Sequence, residues 1–407
     1  MRKGCKPRSG GRRVLPVLLL LLLSGCASLW EREIYERIPH LAREEGALAA
    51  AALTVNSYDS LKTAIIGVIR NGESEADIRV TDYPGGLTKQ AVSALLTEIQ
   101  KWEPIGAYTV EYIDFDYTHI LSQYTITLNI VYRFESRPVI TPVSGRRELE
   151  QAVHAALRDY KPLLTVEMPY YYAQEHDVEG MVRSYYYTNP AWAAEYPETA
   201  VSLYPPSGNS LRRIIDLELV WQTPEEELRQ KERDTDDSAG ALLQRRPDFM
   251  SGSAEEFTAQ TVLWLHDALC ETVLYDAYTA MLELGERPRV DADIAYGALA
   301  GGLAVSEGHA MAFKLLCDRL DIDCAVVTGR WKTDGHTWNL VRIGDTWYHL
   351  AIALDNRGPV PVYDFFLLDD EEAALEFFDW NKNIYPAALP GFWTADAIRA
   401  LTETEEE

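Results

Sequence analysis

Residues 296–329, YGALAGGLAVSEGHAMAFKLLCDRLDIDCAVVTG, and 336–356, HTWNLVRIGDTWYHLAIALDN, decide how the C-terminal half of this chain folds. The run through FKLLCDRL reads as a helix and DCAVVTG as an apolar strand. Upstream, AEEFTAQTVLWLHDALCETVLYD places Val262, Leu265, Leu269 and Val273 on one face of a helix. Downstream, VYDFFLLDDEEAALEFFDWNKNIYP closes the region with Trp380, Tyr385 and Pro386.

Taken in order, these motifs resemble the core of the bacterial transglutaminase-like family, which shares the papain-type Cys-His-Asp arrangement. Members write G-x-C-x-G-Y-A at the start of a helix, H-A-W-N on a strand and W-Y-x-x-D on the next. The nucleophile position here is Ser306 in AVSEGHA, the base position is His336 in HTWN, and the acid position is Ala351 in WYHLA. The resemblance covers residues 254–390 and implies an α+β, transglutaminase-like (papain-type cysteine proteinase) domain with a degenerate triad. In a working member the helix N-terminus and an imidazolium stabilise the thiolate, while the aspartate fixes the histidine tautomer. A serine hydroxyl needs a strong, well-oriented base instead, and Ala351 removes the group that would orient it.

Neither nearby carboxylate is expected to substitute. Asp355 shares strand parity with Ala351 but lies four residues on, about 13 Å away at strand rise. Asp334 is two residues before His336 on the same strand, a poor position from which to grip the ring. His309 stands where the family commonly has tyrosine and is one helical turn from Ser306, so Ser306, His309 and His336 are expected to line one pocket. Trp338 is expected on the cleft wall, with packing as its alternative role. No third strong ligand accompanies these histidines, so neither a metal nor another cofactor is expected.

Residues 56–222 read as a duplicated α/β domain, with repeats at about 57–135 and 144–222. The first has a helix from Ser60 to Arg70, a strand ADIRVTDY, a helix from Leu87 to Lys101, and strands AYTVEYIDFDY and SQYTITLNIVYR. The second has a helix from Arg147 to Arg158, strand LLTVEMPYY, a helix from Asp177 to Tyr187, and strands ETAVSLYP and LRRIIDLELVW. The order αβαββ recurs, and Leu61 and Leu149 are 88 positions apart, as are Arg70 and Arg158. The tyrosine runs 170–172 and 185–187 suit packing, with carbohydrate or partner contact as the alternative. Residues 223–253 read as a solvated connecting helix or loop, and 391–407 as an acidic tail.

Residues 1–25 have the form of a lipoprotein signal peptide. Six basic residues between Arg2 and Arg13 precede an apolar run, Val14 to Leu23, and Leu23-Ser24-Gly25-Cys26 reads as a lipobox. The apolar run is short of the roughly 20 residues that a membrane-spanning helix needs. Diacylation of Cys26 would hold the protein on the membrane surface, outside the cytoplasm of a bacterium. A lead segment, 26–55, follows. Without the six basic residues, 32 Lys and Arg remain against 63 Asp and Glu, a charge near −31, which argues against nucleic acid as a partner. Cys270, Cys317 and Cys324 are left, read as buried thiols, with a Cys317–Cys324 disulfide as the alternative.

These features predict a membrane-anchored lipoprotein that binds a peptide or protein at the cell surface, rather than an active enzyme. A weak hydrolase or acyl transferase dependent on Ser306 and His336 is the alternative.

Overall fold

The computed structural model describes residues 53–248, 252–282, 290–356, 358 and 360–403. The segment 1–25, the lipidation site Cys26 and nearly all of the lead segment lie outside them. Leu53–Val55 (β1), Tyr58–Asn71 (α1), Glu75–Thr81 (β2), Lys89–Trp102 (α2), Pro104–Thr109 (α3), Val110–Ile120 (β3) and Gln123–Tyr132 (β4) build a first layer pair. Its sheet runs β1-β2-β4-β3, with the helices packed on the face where β4 buries Tyr124, Ile126, Leu128 and Ile130. The alternation of apolar residues along β4 makes this one-sided burial possible.

Thr141–Pro142 (β5), Arg146–Arg158 (α4), Leu163–Met168 (β6), Val178–Thr188 (α5), Glu198–Tyr204 (β7) and Arg213–Val220 (β8) build a second sheet in the order β5-β6-β8-β7. In both sheets the first pair is parallel and the other two are antiparallel. The buried positions correspond as well. Leu61, Ile65, Val68 and Ile69 recur 88 residues later as Leu149, Val153, Ala156 and Leu157. Val92, Leu95, Leu96 and Ile99 recur 86 later as Val178, Met181, Val182 and Tyr185. In the sheets, Ile78 pairs with Ile126, and Val166 with Ile215. The strands β1 and β5 are too short to show alternation, and no expectation marked them.

Helix starts follow local chemistry. Thr88 and Asp177 each accept a backbone N–H with the side chain, from Ala91 at 3.1 Å and Gly180 at 3.0 Å. In α1 the cap is Ser57 rather than Ser60, which instead completes a reciprocal capping box. Helices of the first layer pair meet the second sheet through a buried bond from the Tyr108 hydroxyl on α3 to Asp216 Oδ1 on β8 (3.0 Å) and through the ion pair of Arg70 on α1 with Glu167 on β6 (2.6 Å).

Helix Glu225–Leu243 (α6) corrects the reading of 223–253 as a solvated connection: its charges cover one face, while Leu228, Ala239 and Leu242 are buried. Beyond it lie Ala254–Thr272 (α7), Leu274–Tyr275 (β9), Ala277–Met281 (α8), Ala295–Leu299 (α9), Leu303–Ala304 (β10) and Ser306–Arg319 (α10). A five-stranded antiparallel sheet follows, from Cys324–Trp331 (β11), Asp334–Ile343 (β12), Thr346–Leu350 (β13), Phe366–Leu368 (β14) and Phe378–Trp380 (β15), in the order β14-β13-β12-β11-β15. Ile352–Asp355 (α11) and Asp370–Leu375 (α12) are insertions between its strands.

All four residues expected on the apolar face of α7 are buried. One apolar core runs from α4 and β6 through α7 and α10 to β12 and β13, so the second sheet and the C-terminal half share a core across position 222. The segment 391–407 is also more than an acidic tail. Trp393 and Ile398 are buried, Ile398 on helix Ala395–Glu403 (α13), and Trp393 Nε1 donates to Glu255 at 2.7 Å. Cys270, Cys317 and Cys324 are free thiols.

If equivalent positions do equivalent work, Leu61→Ala and Leu149→Ala will each destabilise by about 2–5 kcal/mol in chemical denaturation. A loss under about 1 kcal/mol at either would contradict the matched packing.

Candidate functional site

Ser306 is the first helical residue of α10. Val305 before it is extended (φ −84°, ψ −176°) and is held by Val305 N–H donating to Ala292 O at 3.0 Å. Gly308 lets the first turn lie this close, since a Cβ there would stand 2.3 Å from Ala292 O. His336 sits on β12, paired across from Gly329 of β11. Asn339, three residues on and buried, donates from Nδ2 to Ala310 O at 2.9 Å and clamps β12 onto α10. Sequence reading passed over Asn339, although it completes the HTWN motif.

This packing brings Ser306 and His336 to one cavity of about 290 Å³, whose walls include Glu307, Trp331, Asp293 and Asp334. The N-terminal end of α10, which carries a partial positive charge, lies at the Ser306 side of that space. Asp334 does share the cavity with His336, and the Thr333 hydroxyl donates to its Oδ1 at 3.1 Å. The carboxylate of Glu307 accepts from Tyr187 at 2.9 Å and Tyr196 at 3.3 Å, both from the second four-stranded domain. Only the third tyrosine of the 185–187 run thus reaches the site, while Tyr185 and Tyr186 are core.

The acid position is apolar in its surroundings as well as in its side chain. Ala351 follows directly on β13 and precedes α11, is 2% exposed, and packs in a cluster with Trp338, Leu354 and Phe365. Its N–H donates to Phe365 O at 3.0 Å. The strand stops there, so the expected extended spacing to Asp355 does not hold: Asp355 is one helical turn on, with its N–H directed to Ala351 O. Its carboxylate is committed elsewhere, accepting from Phe365 N–H at 3.1 Å and lying 3.3 Å from His266 Nε2.

Two other expectations are corrected. His309 does not line the cavity with Ser306 and His336. Its ring turns into the core, where Nδ1 donates to Val305 O at 2.9 Å and Nε2 accepts from Asn356 at 3.3 Å. The i,i+3 spacing put it on a neighbouring helical face, and the burial of nearly the whole of α10 decided the rest. Trp338 is likewise no cleft wall: it shares a strand face with His336, but Phe378, Trp380 and Ala351 pack around it, leaving it 1% exposed with Nε1 donating to His349 at 2.9 Å. Trp331, on β11, takes the wall position.

Their surroundings push the pKa values of two buried histidines in opposite directions. Burial pushes His309 down to about 4, against the hydrogen bond to Val305 O. Burial also disfavours charge on His266, but the flanking Asp267 and Asp355 carboxylates overcome it and raise its pKa well above the ordinary value. Among the described residues no three His, Cys, Asp or Glu side chains are grouped as metal ligands.

No family model matches the chain, and no curated protein matches it in sequence. Among solved structures, one described as a TGase aligns over 47% of this chain and 50% of its own, at 9% identity and a TM-score of 0.26. A proposed cysteine protease from Cytophaga hutchinsonii aligns over 40% of this chain and 67% of its own, at 13% identity and a TM-score of 0.22. This chain therefore spans half the length of the first. Likenesses this loose carry no argument about the site, whose reading rests on the geometry above.

His309 is neutral when folded and charged when unfolded below about pH 6.5, so the folded state binds fewer protons there and loses stability as pH falls from about 6.5 toward 4. The full effect is about 3 kcal/mol. His309→Gln is expected to flatten that part of the stability–pH curve measured by urea denaturation. An unchanged acid slope would mean that His309 is charged in the native protein.

Proposed function

We propose that this protein is a lipid-anchored, extracytoplasmic bacterial protein, held by diacylated Cys26, whose transglutaminase-like C-terminal domain binds a peptide or protein without processing it. The observation that carries the reading is the contrast between two neighbouring places. The space between Ser306 and His336 is open to solvent-sized molecules, whereas position 351, where the resemblance puts the carboxylate, holds a methyl group buried among apolar side chains. Removing the orienting carboxylate from a serine-type triad costs about 10⁴ in turnover, and a helix N-terminus alone retains only a residual rate. We also infer that residues 53–222 are two copies of one duplicated domain, supported by the common strand order and the matched buried positions. The net negative charge argues against nucleic acid as the partner.

The second reading is a weak hydrolase or acyl transferase that uses Ser306 and His336. It draws on one observation, that Asp334 lines the same cavity as both.

A serine-directed fluorophosphonate probe separates the two readings. No adduct at Ser306 is expected by mass spectrometry; stoichiometric labelling that disappears in His336→Ala would overturn the non-catalytic reading. The double substitution Ser306→Cys with Ala351→Asp is expected to restore measurable peptidase or transamidase activity if the cavity still accepts peptide. Anchoring is checked separately by incorporation of a clickable fatty acid, which should vanish in Cys26→Ala.

A further inference from the structure

The two four-stranded domains carry the same recess, and only one of the two is filled. Helix α1 ends on Gly72 and α4 on Tyr160, both in the left-handed region (φ 73° and 49°). Each turn is closed by the same two bonds: Gly72 N–H to Ile69 O and Glu73 N–H to Val68 O, matched by Tyr160 N–H to Leu157 O and Lys161 N–H to Ala156 O. Tyr132, at the end of β4, corresponds to Trp221, just past the end of β8.

In the second domain the chain itself occupies the recess. The start of α6 buries Leu228 against Tyr160, Ala194 and Trp221. The Arg229 guanidinium lies 4.5 Å over the Tyr160 ring, and the Tyr160 hydroxyl donates to Glu232 at 2.8 Å. No helix follows β4 in this way, because the chain passes directly into β5. A cavity of about 320 Å³ is found at the corresponding place, over Ile69, Arg70, Ile105, Tyr132 and Phe134. A Cβ built on Gly72 would meet no atom within 4 Å.

We propose that this cavity is the docking site for an amphipathic helix of a partner protein, which inserts one aliphatic side chain as α6 inserts Leu228. The proposal rests on the two-copy reading above. The rim carries Arg70 and Arg137 beside Glu135 and Glu167. Arg70, bonded to Glu167, keeps further guanidinium donors at a side chain that is 39% exposed, and Arg137 is exposed. A helix with carboxylates in its first turn, as α6 has in Glu225, Glu226 and Glu227, meets those guanidinium groups while its aliphatic residue enters the apolar floor. The volume is at the lower end of the range for ligand pockets, which suits one anchoring side chain rather than a large ligand.

The probe is a synthetic peptide of residues 224–243 of this chain, fluorescently labelled and titrated into the full-length protein in detergent. Saturable binding is expected, about tenfold weaker with the Leu228→Asp peptide and about tenfold weaker on Arg137→Glu protein. Arg137 is exposed, so that variant keeps the fold; the peptide variant leaves the protein untouched. A photo-crosslinker in place of Leu228 should map to residues 69–72 or 132–134. Absence of binding, equal affinity for both peptides, crosslinks confined to Tyr160 and Trp221, or a response explained by self-association of the protein would each overturn the proposal. Such a result leaves the two-copy reading intact, since that stands or falls on the matched cores.

Discussion

The C-terminal half is organised by the burial of α10 on almost every side. From Glu307 to Cys317, ten of eleven residues are buried, and the eleventh, Lys314, has a side chain only 13% exposed. A helix with no solvated face must satisfy each polar group inside the protein. Val305 O and Asn356 meet that need for His309, Tyr187 and Tyr196 meet it for Glu307, and Asn339 spans from β12 to Ala310 O. These bonds and the surrounding apolar packing set the helix against β12 and the second domain, and thereby set Ser306 beside His336. Gly308 and the alanines at 310 and 312 permit the close approach.

A scaffold held this way does not need its catalytic groups. The acid position can be an alanine because the cluster around Ala351 is stabilised by apolar contact, and burying an unpaired carboxylate there would cost far more than burying a methyl. The cavity persists because its walls are fixed by elements that are buried elsewhere. The shape of the cavity therefore does not depend on the residue at position 351.

The N-terminal half shows how one packing plan serves two ends. Both sheets bury the same face with the same spacing, yet the second shares its core with α7 and α10 while the first keeps its own. The difference follows from what comes after the last strand: a helix after β8, a short edge strand after β4. That local divergence leaves one recess covered and the other available.

Much of this was legible in the residues. The period-two alternation along β4, the 3.6-residue spacing in α1, α4 and α7, the offset of 88 between Leu61 and Leu149, and the order of Ser306, His336 and Ala351 all depend on spacings of a few residues or on simple recurrence, which one chain displays without help. Facing directions did not follow. His309 is one helical turn from Ser306 and Trp338 two strand positions from His336, but which side meets solvent is settled by whatever packs on the other side. The same holds for α6 and α13, whose charged composition concealed a buried face, and for Asp355, whose distance from Ala351 changed because the strand ended in a helical turn. The sequence by itself determined the elements and the chemistry available at three positions. The tertiary structure alone decided which groups share the cavity, because burial is a property of the neighbours that long-range packing supplies.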